Sequence, residues 1–250
     1  MDKLLRVSVA NLGTKSQRLS TMIRLKVLLI LGMLGMGLPL PAQVQVIYNN
    51  STNDLHTRFS PGTSEVGNEI MLAGTDRFLT TFSFEYWGIN TANRTSFSSP
   101  IEARLQFYEN NGTPFNGYPT PGTSFYDSGW FSVPTPTERS TFIFTAGMDF
   151  SSHGLLIPTD DMTWTIQFQG MGQTDSVGVD LYSPPVVGQG MNFDDYWQLG
   201  AEGWTLLTNS VSPMGFGAYM EANIPEPSTL TLSIIGGLCL LTLARRRVRW

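Results

Sequence analysis

The segment between Gln43 and Asn223 contains no lysine, and its only positively charged residues besides two histidines are five arginines. The same segment has eighteen Asp or Glu residues, so its net charge is −13, whereas the whole chain carries −5. A surface of this sign repels the phosphates of nucleic acids, whose binding depends on Lys and Arg. We therefore predict no nucleic-acid partner, and water, cations or neutral sugars suit this surface better.

Cysteine is equally scarce, because Cys239 is the only one in 250 residues and it lies in an apolar run near the C-terminus. The chain therefore cannot form a disulfide framework. A body of about 180 residues buries enough surface to fold without covalent crosslinks.

Residues that carry chemistry are few. The two histidines, His56 and His153, are almost a hundred residues apart, and the chain has no zinc-binding, phosphate-binding or nucleophile-elbow motif. A glycan-cleaving enzyme would also need two carboxylates that face each other across a groove. We predict that the protein is not an enzyme.

Two acidic pairs, Asp160-Asp161 and Asp194-Asp195, are the only candidates for metal ligands that we single out. Their oxygens suit Ca²⁺, but adjacent residues of a strand point to opposite faces, so neither pair forms a chelate by itself. We predict no metal and no cofactor, with Ca²⁺ as the alternative.

Aromatic rings offer a second kind of site, because Trp and Tyr can stack on sugar rings. Tyr196 and Trp197 follow two aspartates in a polar setting, so we predict them as ligand contacts. We expect four other tryptophans to lie in the core: Trp87, Trp130, Trp164 and Trp204.

The N-terminal region has the order of a secretory signal. A basic stretch from Met22 precedes an apolar run over residues 27–38, and a Pro-Leu-Pro-Ala segment ends at Ala42. This order predicts export through the secretory translocon, with cleavage after Ala42. Residues 1–21 have no place in the pattern, so either Met1 or Met22 is the start.

The C-terminal region has three parts in a fixed order. Pro225, Glu226 and Pro227 form a segment that can be neither helix nor strand. Residues 230–244 follow without a formal charge, and they predict a short transmembrane helix. The chain then closes with a basic cluster, which is expected on the cytoplasmic side of the membrane; its arginines are Arg245, Arg246, Arg247 and Arg249.

Residues 224–250 resemble the PEP-CTERM sorting domain of Gram-negative bacteria that produce exopolysaccharide. The resemblance covers about a tenth of the chain and rests on the order, spacing and terminal position of the three parts. It implies recognition by an exosortase, a membrane-embedded cysteine transpeptidase, and cleavage at or near Pro225, Glu226 and Pro227. It also implies transfer of the body to the cell surface or the extracellular matrix.

Between the two ends, apolar and polar residues alternate with the period of a β-strand. The pattern is strict over residues 78–87, 101–108 and 162–169, and we read each of these as a half-buried strand. In the first of them, we expect Phe78 and Thr80 to share a face with Phe82. Weaker strands fit six further segments: residues 44–48, 124–131, 140–145, 177–182, 203–207 and 215–221.

This pattern predicts an all-β body over residues 43–223, in the form of an antiparallel β-sandwich of jelly-roll type. An N-terminal extension with a signal helix over residues 1–42 and a C-terminal transmembrane helix within residues 224–250 flank it. The predicted function is that of an exported, exosortase-processed protein of the cell surface or exopolysaccharide matrix, with a structural or adhesive role. The alternative is a carbohydrate-binding module that acts on matrix polysaccharide.

Overall fold

The computed structural model describes residues 44–209 and 212–223, and all the elements of secondary structure within these ranges are β-strands. The predicted signal helix, membrane helix and sorting motif lie outside these residues. Within the described ranges, no helix has the length and apolarity needed to cross a membrane. The strands are β1 (Val44–Asn50), β2 (Asp54–Phe59), β3 (Glu65–Met71), β4 (Phe78–Asn90), β5 (Ile101–Tyr108), β6 (Ser124–Val133), β7 (Thr137–Thr145), β8 (Leu155–Leu156), β9 (Asp161–Gln169), β10 (Asp175–Tyr182), β11 (Met191–Asn192), β12 (Asp195–Gly200), β13 (Gly203–Thr208) and β14 (Ala218–Asn223).

The first sheet, which we call sheet I, is built around the long strand β4. β7 and β8 pair along one edge of β4. β14 and β10 lie end to end along the other edge, because Phe84 pairs with Ala218 of β14 and Tyr86 pairs with Val179 of β10. β1 pairs with β14 and β2 pairs with β10, so β1 and β2 together form the outer edge.

The second sheet, sheet II, has the order β13-β12-β3-β9-β5-β6, with β11 also beside β3. β9 lies between β3 and β5, where Ile166 pairs with both Val66 and Leu105. The sequence predicts β5 and β9 but not β3, because the polar residues of β3 interrupt the alternation; Asn68 in particular occupies a buried position.

Aromatic side chains from the two sheets meet in one core. The Phe82 ring of β4 lies 5.0 Å from Phe107 of β5 and 5.4 Å from Trp164 of β9, measured between ring centroids. Trp164 also packs edge-on against Phe216, at 5.8 Å. The sequence prediction of an all-β body is confirmed, and its described strands form two antiparallel sheets.

Two details of the prediction are wrong. β9 is not half-buried, because Thr163 and Thr165 on its outer face are 0% exposed, as fully covered as the apolar residues between them. In β4, Leu79 is buried instead of Phe78 or Thr80. The cause is a register shift in the pairing of β4 with β14, which changes the face that the first residues of β4 present to the core.

Candidate functional site

The two residues predicted as ligand contacts are used for packing. Tyr196 lies 5.0 Å from Phe59 and 6.2 Å from Phe216, so its ring is part of the contact with the core. Trp197 points to the outer face of sheet II, where it is 0% exposed and meets Phe115 edge-on at 6.4 Å. The polar sequence around Trp197 does not leave its ring accessible, because the connection between β5 and β6 brings Phe115 against it.

The four tryptophans expected in the core differ in their exposure. Trp87 and Trp164 are buried, and Trp204 is half-buried. Trp130 is 37% exposed, which corrects the prediction of a core position. It lies on the edge strand β6 opposite the polar residue Arg104, while the next residue, Phe131, packs inward against Phe142.

The acidic pairs make separate contacts. Asp160 forms an ion pair with Arg77 at 2.6 Å, and Asp161 accepts a hydrogen bond from Asn110. Burial raises the pKa of Asp195, and the charge of Asp194 adds to this effect. Among the residues that the structure describes, no three His, Cys, Asp or Glu side chains are grouped as a metal site requires. The sorting-motif residues lie outside the described ranges: Pro225, Glu226, Pro227, Arg245, Arg246 and Arg247.

A buried carboxylate lies on the outer face of sheet II. Glu65 of β3 is 6% exposed, and its Oε1 atom accepts hydrogen bonds from Tyr108 at 3.0 Å and Thr165 at 2.6 Å. The Tyr108 ring meets Trp204 edge-on at 5.7 Å, although three strands separate β5 from β13. Tyr108 therefore contacts both the Glu65 carboxylate and the Trp204 ring.

Glu69 lies on the same face of β3, four residues further along. Burial raises the pKa of Glu69, and the charges of Asp161 and Asp195 raise it further. The nearby Trp197 indole lowers the pKa of Glu69, although its Nε1 atom is not placed well enough to form a regular hydrogen bond. The carboxyls on this face thus interact with neighbouring side chains of the same chain.

A second group of polar side chains lies on the outer face of sheet I, and we call it the Asp180 cluster. The strand β10 alternates there, because Val179 and Leu181 point into the core and Asp180 points away from it. β2, β4 and β7 contribute the other charged members. The cluster consists of Asp54, Arg58, Glu85, Trp87, Arg139, Asp180 and Tyr182.

Arg139 joins three elements of the Asp180 cluster. Its guanidinium forms an ion pair with Asp54 of β2, contacts Glu85 of β4 at 3.3 Å, and lies 5.6 Å from the ring centre of Tyr182 on β10. The Tyr182 hydroxyl in turn donates a hydrogen bond to Glu85. These contacts hold the outer residues of the cluster in place.

Arg58 and Asp180 are less well paired. The Arg58 Nε atom lies 3.7 Å from Asp180 Oδ1, and its guanidinium carbon lies 5.6 Å from the ring centre of Trp87. Asp180 is 2% exposed, and within the described part of the chain its Oδ2 atom has no hydrogen-bond partner. Burial raises the pKa of Asp180 to about 6, although the charges of Arg139 and Arg58 act in the opposite direction.

Sequence reasoning missed this cluster, although it left two signals. An aspartate interrupts the apolar run of β10, and arginine is rare between Gln43 and Asn223. Neither signal shows that Arg58 and Arg139, which are about eighty residues apart, reach the same face. Comparisons with protein-family models, with curated proteins and with solved structures give no match.

Proposed function

We propose that this chain is an exported, exosortase-processed protein of the cell surface or exopolysaccharide matrix, with a structural or adhesive role. The observation that carries the proposal is the order of the C-terminal parts: a Pro-Glu-Pro motif, an apolar run and an arginine cluster. In this proposal the two sheets form a β-sandwich of jelly-roll type, which is the part displayed outside the cell.

The position of β14 supports display through the C-terminus. β14 ends at Asn223, two residues before Pro225, and it pairs with β1 on one side and β4 on the other. An attachment at the motif would therefore connect to a strand that is hydrogen-bonded along both edges. Its last residue, Asn223, pairs with Val44 on one side and Phe78 on the other, which suits a point of attachment.

Intact-mass analysis of protein from the cell surface tests the proposal. We expect a mature form that begins at Gln43 and ends near Pro225, Glu226 and Pro227. Replacing these three motif residues with alanine should leave the tail attached. Replacing Pro134 and Pro136, in the loop between β6 and β7, is the control, and the tail should still be removed. A mature wild-type form that retains Arg245 to Arg249 contradicts the proposal.

A second candidate function is binding of matrix polysaccharide. One observation favours it: carboxylates, arginines and aromatic rings share the outer face of sheet I in the Asp180 cluster. Sugar hydroxyls need both donors and acceptors, which the arginines and carboxylates of the cluster supply. Affinity electrophoresis of the full chain in gels containing the organism's own polysaccharide tests this function, and unchanged mobility counts against it.

A further inference from the structure

Two buried polar atoms of the Asp180 cluster have no hydrogen-bond partner among residues 44–209 and 212–223. One is a donor, the Nε1–H group of Trp87, and the other is an acceptor, Oδ2 of Asp180. Trp87 is 9% exposed and Asp180 is 2% exposed, so solvent does not replace the missing partners. Native proteins rarely leave such groups unpaired, because each one costs about 1–3 kcal/mol.

Both unpaired side chains adjoin Arg58. Its Nε atom lies 3.7 Å from the carboxylate of Asp180, and its guanidinium carbon lies 5.6 Å from the centre of the Trp87 ring. The Arg58 side chain is itself 44% exposed. The unpaired donor and the unpaired acceptor therefore lie near one partly exposed side chain, whose Nη2 atom donates at 2.6 Å to the main-chain oxygen of Glu138.

A hydroxyl group matches this pair of atoms, because it can accept one hydrogen bond and donate another. A carboxylate ligand offers no donor to Asp180, and it would also meet the negative charges of Asp54 and Glu85. An ammonium group offers no acceptor to Trp87. The chemistry of the cluster thus favours a neutral ligand that carries hydroxyls.

We propose that the Asp180 cluster binds a neutral sugar residue, one hydroxyl of which accepts from Trp87 Nε1–H and donates to Asp180 Oδ2. On binding, Arg58 exchanges its hydrogen bond to the main-chain oxygen of Glu138 for one to a neighbouring hydroxyl, while Arg139 stays paired with Asp54 and Glu85. This inference rests on the second candidate function above, and it names the site and the class of ligand for it.

The indole N–H resonance of Trp87 gives a direct readout. The full chain in detergent is labelled with ¹⁵N-tryptophan, and the Trp87 resonance is assigned with Trp87→Phe. Glucose, galactose, mannose and N-acetylglucosamine are then added at millimolar concentrations, with sodium glucuronate as the charged comparison. We expect at least one neutral sugar to shift the Trp87 resonance in a saturable way, and glucuronate to have no such effect.

Two variants test the roles of individual residues. Asp180→Asn replaces a charged acceptor with a weaker neutral one and should weaken binding about tenfold or more, which corresponds to about 1.4 kcal/mol. Trp130→Phe is the matched control, because Trp130 is an exposed tryptophan on sheet II, and it should leave the shift unchanged.

Three results would overturn the proposal. They are a Trp87 resonance that no neutral sugar moves, an equal response to glucuronate, and an Asp180→Asn variant that binds as tightly as the wild type. In the first case, the two atoms hold only an ordered water. If the organism's polysaccharide still retards the protein in a gel, the binding function stands and the site lies elsewhere. If the gel mobility is also unchanged, both fail.

Discussion

Replacing Asp180 with asparagine should stabilise the protein above pH 6. The folded-state pKa of Asp180 is about 6, compared with 3.8 for an unperturbed aspartate. This difference corresponds to about 3 kcal/mol, because each pKa unit represents about 1.4 kcal/mol. The raised pKa means that the folded state holds the proton more tightly, so the wild type loses stability as the pH rises from about 4 to about 6.

Asparagine has nearly the same shape and does not ionise, so the Asp180→Asn variant lacks this loss. Near pH 4 the two proteins should unfold at similar temperatures. At pH 8 the variant should be more stable by about 3 kcal/mol, which raises Tm by roughly 6–12 °C for a body of this size. Thermal unfolding of the full chain, followed by near-UV circular dichroism from pH 4 to pH 8, measures the difference.

Asp160→Asn is the matched control for this prediction. Its side chain is 88% exposed and pairs with Arg77 at the surface, so its replacement should change stability by about 1 kcal/mol or less. The reasoning fails if the curves of the Asp180→Asn variant and the wild type run parallel from pH 4 to pH 8. A variant that is less stable at pH 8 would mean that the ion pair with Arg58 outweighs the cost of burial.

Three further predictions concern buried side chains that stabilise the two sheets. Trp164→Ala should cost about 3–5 kcal/mol in urea unfolding, because the ring is 0% exposed and contacts both Phe82 and Phe216; a loss below 1 kcal/mol would contradict its central position. Glu65→Ala should lower the free energy of unfolding by about 2–4 kcal/mol, because Tyr108 and Thr165 both lose their acceptor. Glu65→Gln should lower it less, because it keeps an acceptor oxygen. Equal losses for the two variants would refute this account. Asn68→Ala should lower the free energy of unfolding by about 2–3 kcal/mol, because the Asn68 amide donates at 2.9 Å to Asp195 O and at 2.8 Å to Met214 O. Faster proteolysis near residues 212–217 should accompany the loss, and unchanged proteolysis would count against this role.

The sequence predicts those strands whose two faces differ in polarity. β5 and β9 alternate regularly because every second side chain packs into the core, and this local pattern is visible without the fold. The sequence does not predict β3 and β12, because their residues lack this regular alternation. The polar residues Glu65 and Asn68 of β3 are buried by partners from distant segments, and in β12 Trp197 is buried although its neighbours in sequence are polar.

The candidate site was less predictable than the fold. Asp180, Arg58 and Glu85 come from three strands that are far apart in the chain, and only the pairing of β10 with β2 and β4 brings these strands together. The tryptophans show the same dependence, because Trp130 and Trp197 have similar polar neighbours in sequence but opposite exposure. The edge position of β6 leaves the first exposed, and Phe115 covers the second.

The sequence by itself determined the all-β class, the acidic character of the body and the order of its C-terminal parts, because composition and alternation are properties of the chain alone. Only the tertiary structure decided which polar groups of the described residues are buried and which of these lack a hydrogen-bond partner there. Burial depends on what packs above a side chain, and for Asp180 and Trp87 the covering side chain, Arg58, comes from a strand many residues earlier in the chain.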